Sequence, residues 1–267
     1  MVTGVSSGIG LATALHLANL GFRTIGTVRR ADQVALVAEA ARRAEVEIEP
    51  VILDVADEES CERAMAGREL YGLVNNAGYF NVGTVEDVPW GEIRRQLDTM
   101  VVGPMHLARQ ALPAMRAGGG GRIINISSAM IHLTLPMTGW YRACNNALSA
   151  VSETLRIEVA SSGVDVILVE PGAILTAIWD KAEEDLLRRR AGSRSAAAYD
   201  RALAILRTGR GWTHPPSQVA EVIGEALIAR RPRTSYQAGR ELLPLRVAGL
   251  LVPDRVRDAA LQTVMRR

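Results

Sequence analysis

The 267-residue chain is poor in cysteine, poor in aromatic side chains and close to electrically neutral. Its two cysteines, Cys61 and Cys144, supply neither a disulfide framework nor a metal-ligand spacing, so a reducing, cytoplasmic setting without a bound metal is expected. Thirty-one basic residues against 29 acidic ones leave a net charge of +2, too little to hold nucleic acid by charge. The clusters Arg188-Arg189-Arg190 and Arg230-Arg231 read instead as solvated helix faces and ends. No apolar run approaches the roughly 20 residues a membrane span requires, and no basic start followed by an apolar core marks a leader. Nor is there an internal repeat.

What is present begins at once. The stretch Thr3-Gly4-Val5-Ser6-Ser7-Gly8-Ile9-Gly10 follows apolar Met1-Val2 and precedes the helical periodicity of Leu11 to Ala18. A strand end, a glycine turn and a helix start are the context in which such glycines bind a dinucleotide. Gly4 would make the tight turn, Gly8 would admit a ligand to the backbone, and Gly10 would let helix and strand pack closely. The free N–H groups and positive helix dipole then face a pyrophosphate. No Gly-Lys-Ser/Thr follows, which excludes a triphosphatase loop. The strand ahead of the turn is short, which would cost a central parallel strand ladder bonds and buried area.

Downstream, strands over Thr24–Val28, Glu49–Leu53, Gly72–Val74, Arg122–Ile126 and Val164–Val169 alternate with helical patterns. Those patterns run through Val34 to Arg43, Ser60 to Ala66, Trp90 to Met115 and Tyr141 to Ala160. Repeated βαβ units imply an α/β fold of Rossmann type: a doubly wound parallel sheet in three α/β/α layers. At 48% hydrophobic, the chain can bury a full core as one domain over residues 1–267. Ligands of such sheets lie beyond the carboxyl ends of the strands, where every motif above falls. Pro216-Ser217 is expected to open a further helix with a capping serine.

The opening glycines, Asp54-Val55, Asn75-Asn76-Ala77-Gly78, Ser128, Tyr141 and Pro171-Gly172 with Thr176 together resemble the short-chain dehydrogenase/reductase family over essentially the whole chain. The segment from Arg231 to Pro253 is most similar to the ending of its retinol and 17β-hydroxysteroid dehydrogenase branch. The resemblance implies a nicotinamide cofactor and a homodimer or homotetramer formed through two long helices. It also implies a cofactor cleft drawn from Gly4, Ser6, Ser7, Gly8, Ile9 and Gly10. Asp54 and Val55 would hold the adenine edge, and Asn76, Ala77 and Gly78 would line the adenosine ribose. Pro171, Gly172, Ile174 and Thr176 would meet the nicotinamide. At the end of the second strand an acid would select NAD, but this chain has Arg29 there, which suits the 2′-phosphate of NADP (NADPH).

In the family a tyrosine exchanges the proton, a serine orients the substrate oxygen, and a lysine four residues after the tyrosine binds ribose and lowers the phenol pKa. An asparagine on the long helix connects that lysine to water. Tyr141 and Ser128 fill the first two roles. The lysine position is Asn145 and the asparagine position is Met100. Asn145 can bond ribose hydroxyls but brings no charge. Tyr141 should then stay near the free phenol value of about 10. His132, four residues after Ser128, is a secondary acid–base candidate whose plainer reading is a loop histidine bonding locally.

Residues 179–214 read as an arginine- and alanine-rich helical flap. Leu133, Leu135, Met137, Trp140, Ile178 and Trp179 are candidates for an apolar pocket wall, several of which could equally be core. A bulky, apolar small-molecule substrate of steroid or polyketide size is expected. The tail over 241–267 is amphipathic and should pack on the protein body or a partner subunit. The leading expectation is an NADPH-dependent ketone reductase with an atypical Ser-Tyr site. The alternatives are a non-redox dehydratase, isomerase or cyclase, and a cofactor-binding protein without turnover.

Overall fold

The computed structural model describes residues 1–239 and 252–266. Strands β1 (Thr24–Val28), β2 (Ile48–Ile52), β3 (Gly72–Asn75), β4 (Gly121–Ile126), β5 (Val164–Pro171) and β6 (Ser235–Ala238) pair in parallel throughout. Val2 stands between β1 and β3, bridging Gly26 and Val74, so the spatial order is β2-β1-Val2-β3-β4-β5-β6. The chain therefore reaches its glycine turn from the middle of the sheet. The short first strand is seen as that single bridge, reinforced by backbone bonds from Val2 N to Ile25 O (2.8 Å) and Thr3 N to Val74 O (2.9 Å).

Helices cover both faces, which is why the central strands are apolar at consecutive positions rather than alternating. In β4, Ile124 packs toward α1 (Gly8–Asn19), α2 (Val34–Arg43) and α9 (Pro216–Ile228). Its neighbour Ile123 packs toward α3 (Glu58–Met65) and α5 (Gly103–Ala117). The period of two along the strand thus splits the interior into two cores. The remaining α-helices among the described residues are α4 (Trp90–Leu97), α6 (Gly139–Glu158), α7 (Ile178–Arg190), α8 (Ala196–Gly209) and α10 (Asp254–Arg266). A third, smaller core joins Val82 and Met137 to Ala182 and Leu186 of α7 and to Ala198, Tyr199 and Leu203 of α8.

Two local expectations change, and one strand is added. The long helix over 90–115 is two helices, α4 and α5, joined by a π-helical turn at Asp98–Val102 that contains Met100. Single π turns inside helices are often found at functional sites. Ser217 does not cap α9: the cap position is Pro215 and Pro216 opens the helix, where its missing N–H costs nothing. Strand β6 carries no alternation strong enough to find from sequence, because it is four residues long. The segment over 240–251, where the expected tail begins, and residue 267 lie outside the described residues. Within the described part, α10 forms the end of that tail, and no helix is long and apolar enough to cross a membrane.

Candidate active site and cofactor cleft

The glycine turn is built by backbone constraints and by one asparagine. Gly4 and Gly8 sit at φ +72° and +60°, the left-handed region where a side chain is strained. A Cβ on Gly10 would overlap both Gly4 O and Asn76 Nδ2. The Thr3 hydroxyl accepts from the backbone N–H groups of Asn76 and Ala77, each at 2.9 Å. Asn76 Nδ2 in turn donates to Thr3 O (2.8 Å) and Gly4 O (3.3 Å). The first and fourth parallel strand ends are thereby tied into one rim. Ser7, between Ser6 and the first turn that holds Ile9, is the N-cap of α1 and makes no side-chain hydrogen bond to it, so the first-turn N–H groups receive no cap from it.

The far rim meets the same turn. Thr176, after β5, lies so close that a Cβ on Gly8 would sit 3.1 Å from its Cγ2. Ile174 is buried beside it, and Pro171 ends the strand with Gly172 following. Arg29 is exposed at the end of β1 and forms no ion pair among the described residues, whereas Arg30 is held by Asp32 at 2.8 and 2.9 Å. Asp54 is already engaged: Oδ1 accepts from Ala56 N (3.1 Å) and Oδ2 from Arg95 (2.8 Å). Val55 is buried behind it. A Cβ on Gly78 would touch Met100 at 3.6 Å, so the thioether lies against the Asn76–Gly78 segment.

Tyr141 and Asn145 lie one turn apart on α6, and Ser128 follows β4, so all three converge at the carboxyl end of the sheet. Burial of the hydroxyl raises the Tyr141 pKa above 10, while hydrogen bonds with Ser128 and Asn145 partly oppose the rise. Among the described residues no cation offsets it. The chain contains one lysine, Lys181, which is exposed on α7. Arg142 turns to Ile131 O at 3.3 Å. The Tyr141 ring meets Phe80 edge-on at 4.7 Å. Asn145 is 1% exposed; its Nδ2 donates to Tyr141 O (2.9 Å), but its Oδ1 is buried with no partner among the described residues. A buried acceptor without a donor is costly unless a ligand hydroxyl completes it.

Several side chains emerge only in three dimensions. His132 does not bond locally: Nε2 lies 3.1 Å from Oε2 of Glu170, 38 residues away and buried on β5. Ser235 of β6 also donates to Glu170, at 3.2 Å. The His132 turn is thus linked to two strand ends. Behind α6, Ser127 contacts Ser149 (3.1 Å), and Asn125 donates to Ser152 (2.7 Å). No sequence pattern marks these pairs, since each joins residues from separate elements.

The flap is two helices anchored by buried polar groups. Arg189 donates to Val82 O, Asn81 Oδ1 and Glu92 Oε2. Tyr199, fully buried, donates to Asp87 (2.9 Å) and accepts from Thr84 N (3.1 Å). Of the apolar candidates, Met137 is core, Leu135 is exposed, and Leu133, Trp140, Ile178 and Trp179 are half-buried. Trp179 is fixed by Nε1 donating to Ile174 O at 2.8 Å. Phe80 joins Trp179 at the edge of the third core, placing an apolar wall beside Tyr141.

Comparison with known proteins agrees with this geometry. A short chain dehydrogenase family model matches residues 1–187. An NADPH-dependent 3-dehydrocapnine reductase of Ornithobacterium rhinotracheale is 31% identical over 272 residues, spanning 97% of this chain and 94% of the relative. The 17-beta-hydroxysteroid dehydrogenase type 1 of Homo sapiens is 31% identical over 258 residues, spanning 92% and 78%. Among solved structures, a short-chain dehydrogenase from Streptomyces avermitilis superposes with a TM-score of 0.78 at 30% identity, over 98% and 93% of the two chains. A variant of the actinorhodin polyketide ketoreductase with NADPH gives 0.74 at 26% identity, over 88% and 93%.

Proposed function

The chain belongs to the short chain dehydrogenase family, and from that premise we propose that it is an NADPH-dependent reductase of a bulky, apolar ketone. One observation carries the reading. A hydroxyl pair, Tyr141 and Ser128, stands at the same end of the sheet as a glycine turn in which a Cβ would be strained or would clash. The chain's own residues fit a dinucleotide. Gly4, Gly8 and Gly10 would admit the pyrophosphate, Arg29 is free to pair with a 2′-phosphate, and the orphaned Asn145 Oδ1 would accept from the nicotinamide ribose. The nicotinamide would supply the hydride. The reductase and ketoreductase relatives with NADPH in their names favour this cofactor over NADH.

The protein supplies a proton and a position. Protonated Tyr141 donates to the substrate oxygen as negative charge develops there, and the Ser128 hydroxyl holds that oxygen in line. Desolvation keeps the phenol protonated at neutral pH, which suits the reductive direction. Oxidation of an alcohol requires the phenolate, about a thousandth of the population at pH 7 for a pKa of 10 and less for a raised one. The bias is therefore toward reduction. Phe80, Trp179 and Leu133 offer an apolar surface to the rest of the substrate, and their mixed burial divides them between wall and core. Assembly as a homo-oligomer through the long helices and kinship with the 17β-hydroxysteroid branch belong to the same proposal.

The deciding experiment titrates NADPH by fluorescence and then follows absorbance at 340 nm with a panel of bulky ketones. Saturable binding with consumption of NADPH is the expected result. Conversion of a substrate with NADPH left intact would replace this reading by a non-redox lyase or isomerase. Binding with no conversion of any kind would leave a cofactor-binding protein.

A further inference from the structure

Helices α3 and α5 bring together two carboxylates and an imidazole that the cofactor cleft does not use. Glu58 and Glu62 are one turn apart on α3, and His106 faces them from α5; their ligand atoms all lie within 4.8 Å of one another. A cavity of about 360 Å³ opens between these side chains, with Gln110 and Arg109 on its border. Gln110, one turn after His106, places its amide 2.5 Å from His106 Nε2 and orients the ring. The charge pattern of α3 singles out the same pair. The acids beside them, Asp57 at the N-cap and Glu59, share Arg63 at 4.0 and 3.4 Å. Among the described residues Glu58 and Glu62 form no ion pair, although Arg109 borders the same cavity, and they stand one turn apart on one helix face.

We propose that Glu58, Glu62 and His106 form a divalent transition-metal site, with Zn2+ as its ligand, that staples α3 to α5. A mixed set of imidazole and carboxylates suits Zn2+ better than the all-oxygen shells preferred by Mg2+ or Ca2+. Three protein donors leave the fourth tetrahedral position for water. The cation would also relieve the repulsion between the two carboxylates. The two helices it joins flank the proposed site: α3 follows the Asp54-Val55 segment, and α5 continues from the π turn that carries Met100. The cysteine spacing that argued against a metal says nothing about ligands delivered from two helices.

The test uses the untagged, full-length protein stripped with chelator and titrated with Zn2+ by calorimetry, with Co2+ absorption reporting coordination. The expected result is one Zn2+ per chain at micromolar or tighter dissociation constant, weakened at least tenfold in both His106→Ala and Glu62→Gln. His16→Ala, on α1, should leave it unchanged. A hundredfold excess of Zn2+ over the dissociation constant should raise Tm by on the order of 5 °C in the wild type alone. Glu62 is on the surface, so its variant separates loss of the site from loss of the fold. No binding below millimolar Zn2+, or wild-type affinity retained in either variant, overturns the proposal.

Discussion

The two halves of the cleft are built on different principles. At the glycine turn, the site is fixed by what cannot fit: a Cβ at Gly10 collides with Gly4 O and Asn76, and Thr3 and Asn76 lock the rim by four hydrogen bonds. At the phenol, the site is defined by what has been left open: a desolvated hydroxyl without a cation and a buried amide oxygen without a donor. Steric constraint specifies a shape whether or not a ligand is bound. Electrostatic support needs a compensating charge, and the side chain one turn after Tyr141, Asn145, brings none. Binding is thus the more firmly determined property of this protein, and the rate is where it has room to differ from its relatives.

That contrast can be broken most directly by adding a charge beside the phenol. Asn145→Lys should raise alcohol oxidation at pH 7 by roughly a thousandfold, since a depression of ~3 pKa units is worth on the order of 4 kcal/mol where the phenolate is needed. Initial rates with NADP and a secondary alcohol measure it, and an unchanged or lower rate would show that the half-site has been rebuilt for other chemistry. In the wild type, oxidation should climb about tenfold per pH unit, hence about a hundredfold from pH 7 to 9, because the raised phenol pKa lies above that window. Reduction should stay nearly level across the same range, as the phenol remains protonated. An oxidation profile already flat at neutrality would contradict the absence of a cation.

The steric half is probed by Gly10→Ala. Its methyl group should cost ~2–3 kcal/mol through backbone displacement and weaken NADPH about a hundredfold by fluorescence, with a matching fall in Tm. Affinity within tenfold of the wild type would mean that the rim yields more than its hydrogen bonds suggest. The smallest effect is reserved for Arg29→Ala. Loss of an exposed guanidinium should reduce the preference for NADPH over NADH by about tenfold, less at high salt, with little change in Tm. Equal loss for both cofactors would remove Arg29 from the 2′-phosphate reading.

Much of this was legible in the chain. Strand β1 and helix α2 lie where periodicity puts them, and the glycine spacing announces its own turn because Gly4 and Gly8 occupy conformations that other residues avoid. The tyrosine and serine that meet at the end of the sheet are visible as a spacing. The lone lysine in the sequence also carries a signal: Lys181 alone could have supplied an ammonium to Tyr141, and the structure puts it on an exposed helix. By contrast, His132 reads as an isolated loop residue until β5 brings Glu170 to it. The arginine-rich flap looks solvated, yet Arg189 is buried because three oxygens from the 81–92 segment receive it. Likewise, Met137 reads equally well as pocket wall or core, and only the packing of α7 and α8 makes it core.

The sequence by itself determined the parallel α/β architecture, the glycine turn and the uncharged side chain at position 145, because each depends on the identity of residues close together in the chain. Tertiary structure alone decided which polar atoms found partners: Asp54 with Arg95, Glu170 with His132, Arg189 with Glu92, and Asn145 Oδ1 with none. Hydrogen bonds and ion pairs act over a few ångströms, and only the folded sheet brings residues 38 to 97 positions apart within that reach.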